Sequence, residues 1–286
     1  MPEAGGSDVP LPVAADDEDP DWPPPGINAG VAHPARVYDY FLGGKDNFAA
    51  DRALGDALTA QIPSAPYSAR ANRAFLGRAV RYLVNEQGIR QFLDIGTGIP
   101  SAGNTHEVAQ ALAPDTRALY VDNDPIVLAH ARALMSSHPA GATAFIQADA
   151  REPGKILADP ALRETLDLAE PVALMLLSIL PFFRDNEDPQ GIVSTLLDAL
   201  PSGSYLAISH ITADFIKPEQ AANAVAAGQH SGVTYVPRTQ AEIAAFFSGL
   251  DLVEPGVVPI LAWHPDDGEP VDPHAASHYA GMARKP

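Results

Sequence analysis

The chain has 286 residues, with 36 acidic against 18 basic side chains and a formal net charge of −18. That charge excludes a surface built to grip nucleic-acid backbone or anionic membrane, since both demand cationic groups. No cysteine is present, which excludes disulfides, thiolate metal sites and cysteine nucleophiles, while 46% apolar residues suffice for one large domain or two small ones.

Residues 1–33 read as a tail. Asp16–Asp19 is acidic, Pro23–Pro25 is a proline run, and no Lys or Arg precedes Arg36. Such a segment buries too little apolar surface to offset its ordering entropy, so it is expected to be disordered or loosely draped. No basic stretch followed by an apolar one opens the chain, and no apolar run approaches the ~20 residues that span a bilayer. A cytoplasmic protein is the simple expectation.

Order is expected from Pro34. Residues 34–87 read as a helical unit and 88–286 as a ligand-binding domain. Ala35–Leu42 and Asn47–Leu58 are predicted as short helices around the Gly43-Gly44 break. Ser68–Asn85 is a stronger helix, because Ala71, Phe75, Ala79, Tyr82 and Leu83 recur at helical spacing. Arg70, Arg73, Arg78 and Arg81 lie between them; ion pairs are expected, and Arg73 after Asn72 is the one to test.

Strands and helices then alternate. Strands are predicted at Gln91–Ile95, Ala118–Asp122, Thr143–Gln147, Val172–Leu177, Tyr205–His210, Leu250–Val258 and His278–Arg284. Helices are predicted at Thr105–Leu112, Pro125–Ser137, Gln190–Leu200 and Gln240–Phe247. This alternation predicts an α/β fold, a doubly wound, mostly parallel sheet with helices on both faces. Ligands in such folds lie beyond the carboxyl ends of the strands. Asp94, Gly96, Asp122 and Asp149 all fall there.

The segment QFLDIGTGIP (Gln91–Pro100) carries the sharpest signal. Gly96 and Gly98 let the backbone turn tightly and approach a ligand. Asp122 ends the next strand, placed to accept from two ribose hydroxyls. A dinucleotide fingerprint would need a third glycine where Ser101 stands, and Asp94 is ill-suited beside a diphosphate. A cationic nucleoside fits better, and S-adenosylmethionine is one. On this reading Gly96, Thr97 and Gly98 pass against the ligand and Asp94 holds its ammonium, directly or through water. Asp122 and Asn123 take the ribose, and Asp149 with Ala150 faces the adenine.

PARVYDYFLGGKDNFAADR (Pro34–Arg52), NRAFLGRAVRYL (Asn72–Leu83), GIRQFLDIGTGIP (Gly88–Pro100), NTHEVAQ (Asn104–Gln110) and YVDNDPIVLAHARAL (Tyr120–Leu134) together resemble the actinobacterial S-adenosylmethionine-dependent methyltransferase family. That family was long catalogued as a domain of unknown function. PSGSYLAISH (Pro201–His210) and YAGMARKP (Tyr279–Pro286) fit it too. The resemblance implies a class I methyltransferase fold, Rossmann-like, with seven strands and a hairpin at the sheet's end. It implies methyl transfer from S-adenosylmethionine and leaves the acceptor open. Where such sequences carry a His after the fourth strand, this chain has Leu180-Pro181, so no catalytic role is carried onto Ser178 or Pro181.

Further candidates remain. Residues 34–87 read as a lid, in which Tyr38 or Tyr40 could lie against the sulfonium or adenine and Arg36 or Lys45 could pair with the methionyl carboxylate. The same residues also read as a capped helix pair. Asn104 and Glu107 have capping-box spacing. His106 and His210 are the candidate bases. His264 could border the pocket or lie in solvent, and Asp266-Asp267 reads as a solvated turn. The favoured function is methyl transfer to a small molecule. The alternatives are a non-catalytic sensor that keeps the pocket and a nicotinamide-dependent oxidoreductase.

Overall fold

The computed structural model describes residues 27–134, 137–266 and 271–286. Residues 1–26 of the expected tail, the end of the helix predicted to Ser137, and Asp267 lie outside it.

Three helices come first: α1 (Pro34–Leu42), α2 (Ala49–Gln61) and α3 (Ala65–Asn85). Proline opens α1, the His33 side chain accepts from the Ala35 N–H, and Gly43 ends the helix in the left-handed region at φ 80°. The predicted stripe on α3 is buried at Ala71, Phe75, Ala79 and Leu83. Then follow β1 (Gln91–Ile95), α4 (Thr105–Leu112), β2 (Arg117–Asp122), α5 (Pro125–Leu134), β3 (Ala142–Gln147), α6 (Pro153–Ala158), α7 (Pro160–Thr165) and β4 (Ala173–Leu177). The chain continues through α8 (Pro189–Asp198), β5 (Tyr205–Ile211), α9 (Pro218–His230), α10 (Gln240–Ala245), β6 (Asp251–Leu252), β7 (Val258–Pro259) and β8 (His278–Arg284).

The strands form one sheet in the order β3-β2-β1-β4-β5-β8-β6, with β7 also on β8. The first five are parallel and β8 runs antiparallel to β5, β6 and β7. Strand periodicity splits the core between two faces. Leu93, Ile95, Leu119, Val121, Leu174 and Leu176 pack on one face. Phe92, Ala118, Tyr120, Ala173, Met175 and Trp263 pack on the other, beneath α3. The chain reverses its winding between β1 and β4, and that switch point opens the crevice where ligands bind.

Three expectations are corrected. The single strand predicted at Leu250–Val258 is β6 and β7, separated by a turn in which the Gly256 N–H reaches Val253 O. Both halves pair with β8, so one of the seven strand positions is filled by two short pieces. Helices α6, α7 and α9 were not foreseen. The boundary of the tail also falls earlier than residue 33: Ala32 is buried, and the His33 N–H donates to Asp51 Oδ1 at 2.8 Å.

Candidate functional site

A cavity of about 530 Å³ opens at the carboxyl ends of β1, β2, β4 and β5. Asp94, Gly96, Thr97, Gly98, Asp122, Asn123, Asp149 and Ala150 all line it. Its opposite wall comes from α1, α2 and α9, through Val37, Tyr38, Phe41, Leu58 and Ala224.

Both glycines of the turn are left-handed, Gly96 at φ 75° and Gly98 at φ 67°. A Cβ on Gly96 would lie 2.6 Å from the Ile179 side chain, so the turn also needs glycine for space. At Gly98 the space a Cβ would fill is open, leaving bare backbone on the cavity wall. The Gly96 N–H donates to Val121 O at 2.7 Å and the Gly98 N–H to Asp122 Oδ2 at 2.9 Å, tying the turn to β2.

Asp94 and Asp122 are buried, and Asp149 is half-buried. Asp94 accepts from Thr105 Oγ1 at 2.6 Å, and desolvation pushes its pKa up to about 6. Asp122 accepts from the Gly98 and Asp124 N–H groups, yet burial still raises its pKa. Asp149 is held by the Arg151 N–H at 2.9 Å and its guanidinium at 3.2 Å. Arg73 lines the cavity beside the glycine turn and donates to Ala102 O and Asn104 Oδ1. The Asn104–Glu107 capping box is present. Tyr38 presents its ring to the cavity; its hydroxyl donates to Ala69 O and accepts from Asn72, both at 3.0 Å.

Several candidates lie elsewhere. Arg36 is buried off the cavity, donating to Val31 O at 2.8 Å beside Asp51 and Asp124, so its charge already has partners. Lys45 is exposed in the loop after α1, away from the cavity. Tyr40 turns outward and donates to Asp56 at 2.7 Å. His106 is buried against Tyr120, whose hydroxyl lies 2.7 Å from its Nδ1. His210 is also buried, between Ile211 O at 2.8 Å and the Arg238 guanidinium at 3.1 Å. Neither histidine lines the cavity, so neither can be a base there. His264 is exposed and bonds Glu254 O, away from the cavity.

Sequence reasoning missed Ser178 and His278. Both line the cavity, and Ser178 Oγ lies 3.0 Å from His278 Nε2. Ser178 follows an apolar strand, and no catalytic role was carried onto it from the sequence. His278 opens β8, where Ser277-His278 interrupts an apolar pattern; that polar pair was the available signal.

The S-adenosyl methyltransferase family model matches residues 20–286. The chain belongs to this family. The crystal structure of a DUF574 family protein from Streptomyces avermitilis MA-4680 is 48% identical, with a TM-score of 0.87 over 90% of this chain and 99% of that one. A provisionally named methyltransferase from Thermobifida fusca YX is 42% identical, with a TM-score of 0.83 over 92% of this chain and 98% of that one. The plantazolicin methyltransferase BamL, bound to a triazolic desmethylPZN analogue and SAH, shares the fold at 12% identity. Its TM-score is 0.50 over 88% of this chain and 95% of that one. No curated protein matches.

This methyltransferase therefore takes S-adenosylmethionine as its cofactor, and the nicotinamide alternative is set aside. The site fits that molecule on its own chemistry. Two carboxylates, Asp94 and Asp122, are buried with no salt bridge to either among the described residues, and they share the cavity wall with the bare Gly98 backbone and with Arg73. Among the described residues, no helix is long and apolar enough to cross a membrane.

Proposed function

We propose that the enzyme methylates a small-molecule acceptor held between the ends of β1, β2 and β4 and a lid formed by α1 and α2. When bound, S-adenosylmethionine supplies an electrophilic methyl group on a positively charged sulfur. The protein's task is then alignment, which can supply roughly 7–11 kcal/mol.

The residues divide that task. Asp122 uses its remaining lone pairs for the ribose hydroxyls, since each of its oxygens has spent only one on a backbone N–H. Asp94 holds the methionyl ammonium. Arg73, in place of Arg36 or Lys45, pairs with the carboxylate. Asp149 and the Ala150 backbone face the adenine. The Tyr38 ring offers its face to the sulfonium, an attraction of ~0.5–2 kcal/mol. Acceptors with a polyanionic backbone are disfavoured by the net charge of −18.

The observation that carries this reading is the convergence of Asp94, Gly98 and Asp122 on one cavity that also has an apolar wall. Isothermal calorimetry tests it. Asp122→Ala is expected to weaken S-adenosylmethionine binding by about 10–100-fold, the loss of a charge-assisted hydrogen bond worth ~1.5–3 kcal/mol. Absence of binding to the unaltered protein at millimolar cofactor would overturn the assignment of the site. Formation of S-adenosylhomocysteine with a fractionated small-molecule extract separates an enzyme from a sensor that only binds.

A further inference from the structure

The floor of the cavity holds polar groups that cofactor binding does not use. Ser178 sits just past β4 with φ 55°, a left-handed conformation that costs a non-glycine residue of order 1–3 kcal/mol. Its N–H is pinned to Ser209 O at 3.0 Å. Its Oγ lies 3.0 Å from His278 Nε2 and 3.4 Å from Ser209 Oγ. Behind it, Ser209 donates to Asn72, and Asn72 donates to Tyr38. The Ser178 hydroxyl is therefore set by a chain of fixed partners, while its residue remains half-buried on the cavity wall.

His278 is an unusual member of that chain. Its imidazole is buried, and Nδ1 has no hydrogen-bond partner among the described residues. Desolvation pushes its pKa down to about 4, so the ring is neutral at ordinary pH. With the proton on Nδ1, Nε2 accepts from Ser178. The hydroxyl oxygen of Ser178 is then left to meet a donor from the cavity.

The rest of the wall limits what that donor belongs to. The carboxylates and guanidiniums lining the cavity are Asp94, Asp122, Asp149, Arg73 and Arg151, all at the ends of β1–β3 or on α3 beside them. Apart from His33 at the start of α1, which is paired with Asp124, the α1, α2 and α9 side, with Phe182 and Tyr235, presents apolar surface. An ion there would lose its hydration without a partner.

We propose that Ser178 contacts the reacting group of the acceptor, that His278 is its positioning residue and proton store, and that the acceptor is an uncharged, largely apolar molecule bearing one hydroxyl. This rests on the cofactor placement given above. As the acceptor oxygen bonds to the methyl carbon, the carbon–sulfur bond breaks and its electron pair stays on sulfur, leaving a neutral thioether. The acceptor proton passes to Ser178 Oγ while the Ser178 proton moves to His278 Nε2. The buried imidazolium then returns that proton through the same hydroxyl to water. An amine acceptor is a poorer match, because its ammonium form would find no carboxylate on this wall.

The test uses the full chain, in excess and saturated with S-adenosylhomocysteine, with 2-naphthol, 2-naphthoate and naphthalene as probes of similar size. 2-Naphthol is a photoacid, so naphtholate emission from the bound molecule reports a base within reach of its proton. Binding of 2-naphthol at least tenfold tighter than either other probe, with naphtholate emission, is expected. Ser178→Ala should remove both the preference and the band. His278→Gln should keep most of the affinity and lose the band, a result that a merely structural histidine would not give. Equal affinity for the three probes, or a band unchanged in both variants, overturns the proposal. Calorimetry with S-adenosylhomocysteine confirms that each variant is folded, and the unaltered protein's preference among probes decides the acceptor class if one is not. Failure of the unaltered protein to bind S-adenosylhomocysteine would instead overturn the cofactor placement.

Discussion

Asp94 shows how burial and function are linked at a single residue. Its pKa rises from 3.8 to about 6 because the carboxylate is desolvated, and the hydrogen bond from Thr105 offsets this in part. A cationic ligand group reverses that preference, so cofactor binding near pH 6 should release a proton. Calorimetry in two buffers of different ionisation enthalpy would measure the release, and Asp94→Asn should abolish it. This acid was legible in the sequence because it ends an apolar run directly before two glycines. The candidate bases were not, because a histidine at a strand end or helix start carries no mark of which way it faces. His106 and His210 turn into the core, whereas His278, which looked like an ordinary strand residue, reaches the cavity. Arg36 and Lys45 misled for a related reason: charge suggests a ligand contact, but Arg36 already faces Asp51 and Asp124.

At the scale of elements, α1 and α2 are joined to the sheet by that same arginine. Arg36 lies 3.4 Å from Asp51, which is fully buried on α2, and 3.8 Å from Asp124 after β2. Removing the cation leaves Asp51 with backbone donors alone and Asp124 with His33 at 3.0 Å, so Arg36→Met should cost about 3–5 kcal/mol. Hydrogen exchange should rise first in residues 34–61, and chemical denaturation would measure the loss. The buried parallel strands were readable because each is a short continuous apolar run. Helix α9 was not, since PEQAANAVAAGQH is rich in alanine, mostly exposed and weakly amphipathic, with only Ala224 and Gly228 buried. Helices α6 and α7 are six residues each, too short to show a period. The strand predicted at 250–258 failed because its Pro255-Gly256 pair turns the chain.

Across the whole molecule, buried titrating groups oppose one another. His210 and His278 have pKa values pushed down to about 3 and about 4 from 6.5. Each contributes stability that is full above pH 6.5 and is lost as pH falls through the folded value. Asp94 acts with the opposite sign: its contribution is full below pH 3.8 and is lost as pH rises through about 6. Asp39 and Asp122, also raised by burial, share the sign of Asp94, so the histidine contribution is read by difference: Tm should fall less between pH 6.5 and 4 in His210→Gln than in the unaltered protein. Thermal melts across that range would check it, and Asp94→Asn should leave a steeper fall.

The placement of β8 has a temporal consequence. It follows the other described strands in sequence, yet it lies inside the sheet, between β5 and the β6–β7 pieces, and its first residue is His278. While the ribosome is still adding residues 278–284, the growing protein has an open edge along β5 and an incomplete cavity floor. Closure of that edge and completion of the cavity floor therefore arrive in one event, once residues 278–284 have been made, and a product terminated before them would have an open floor and a sticky edge.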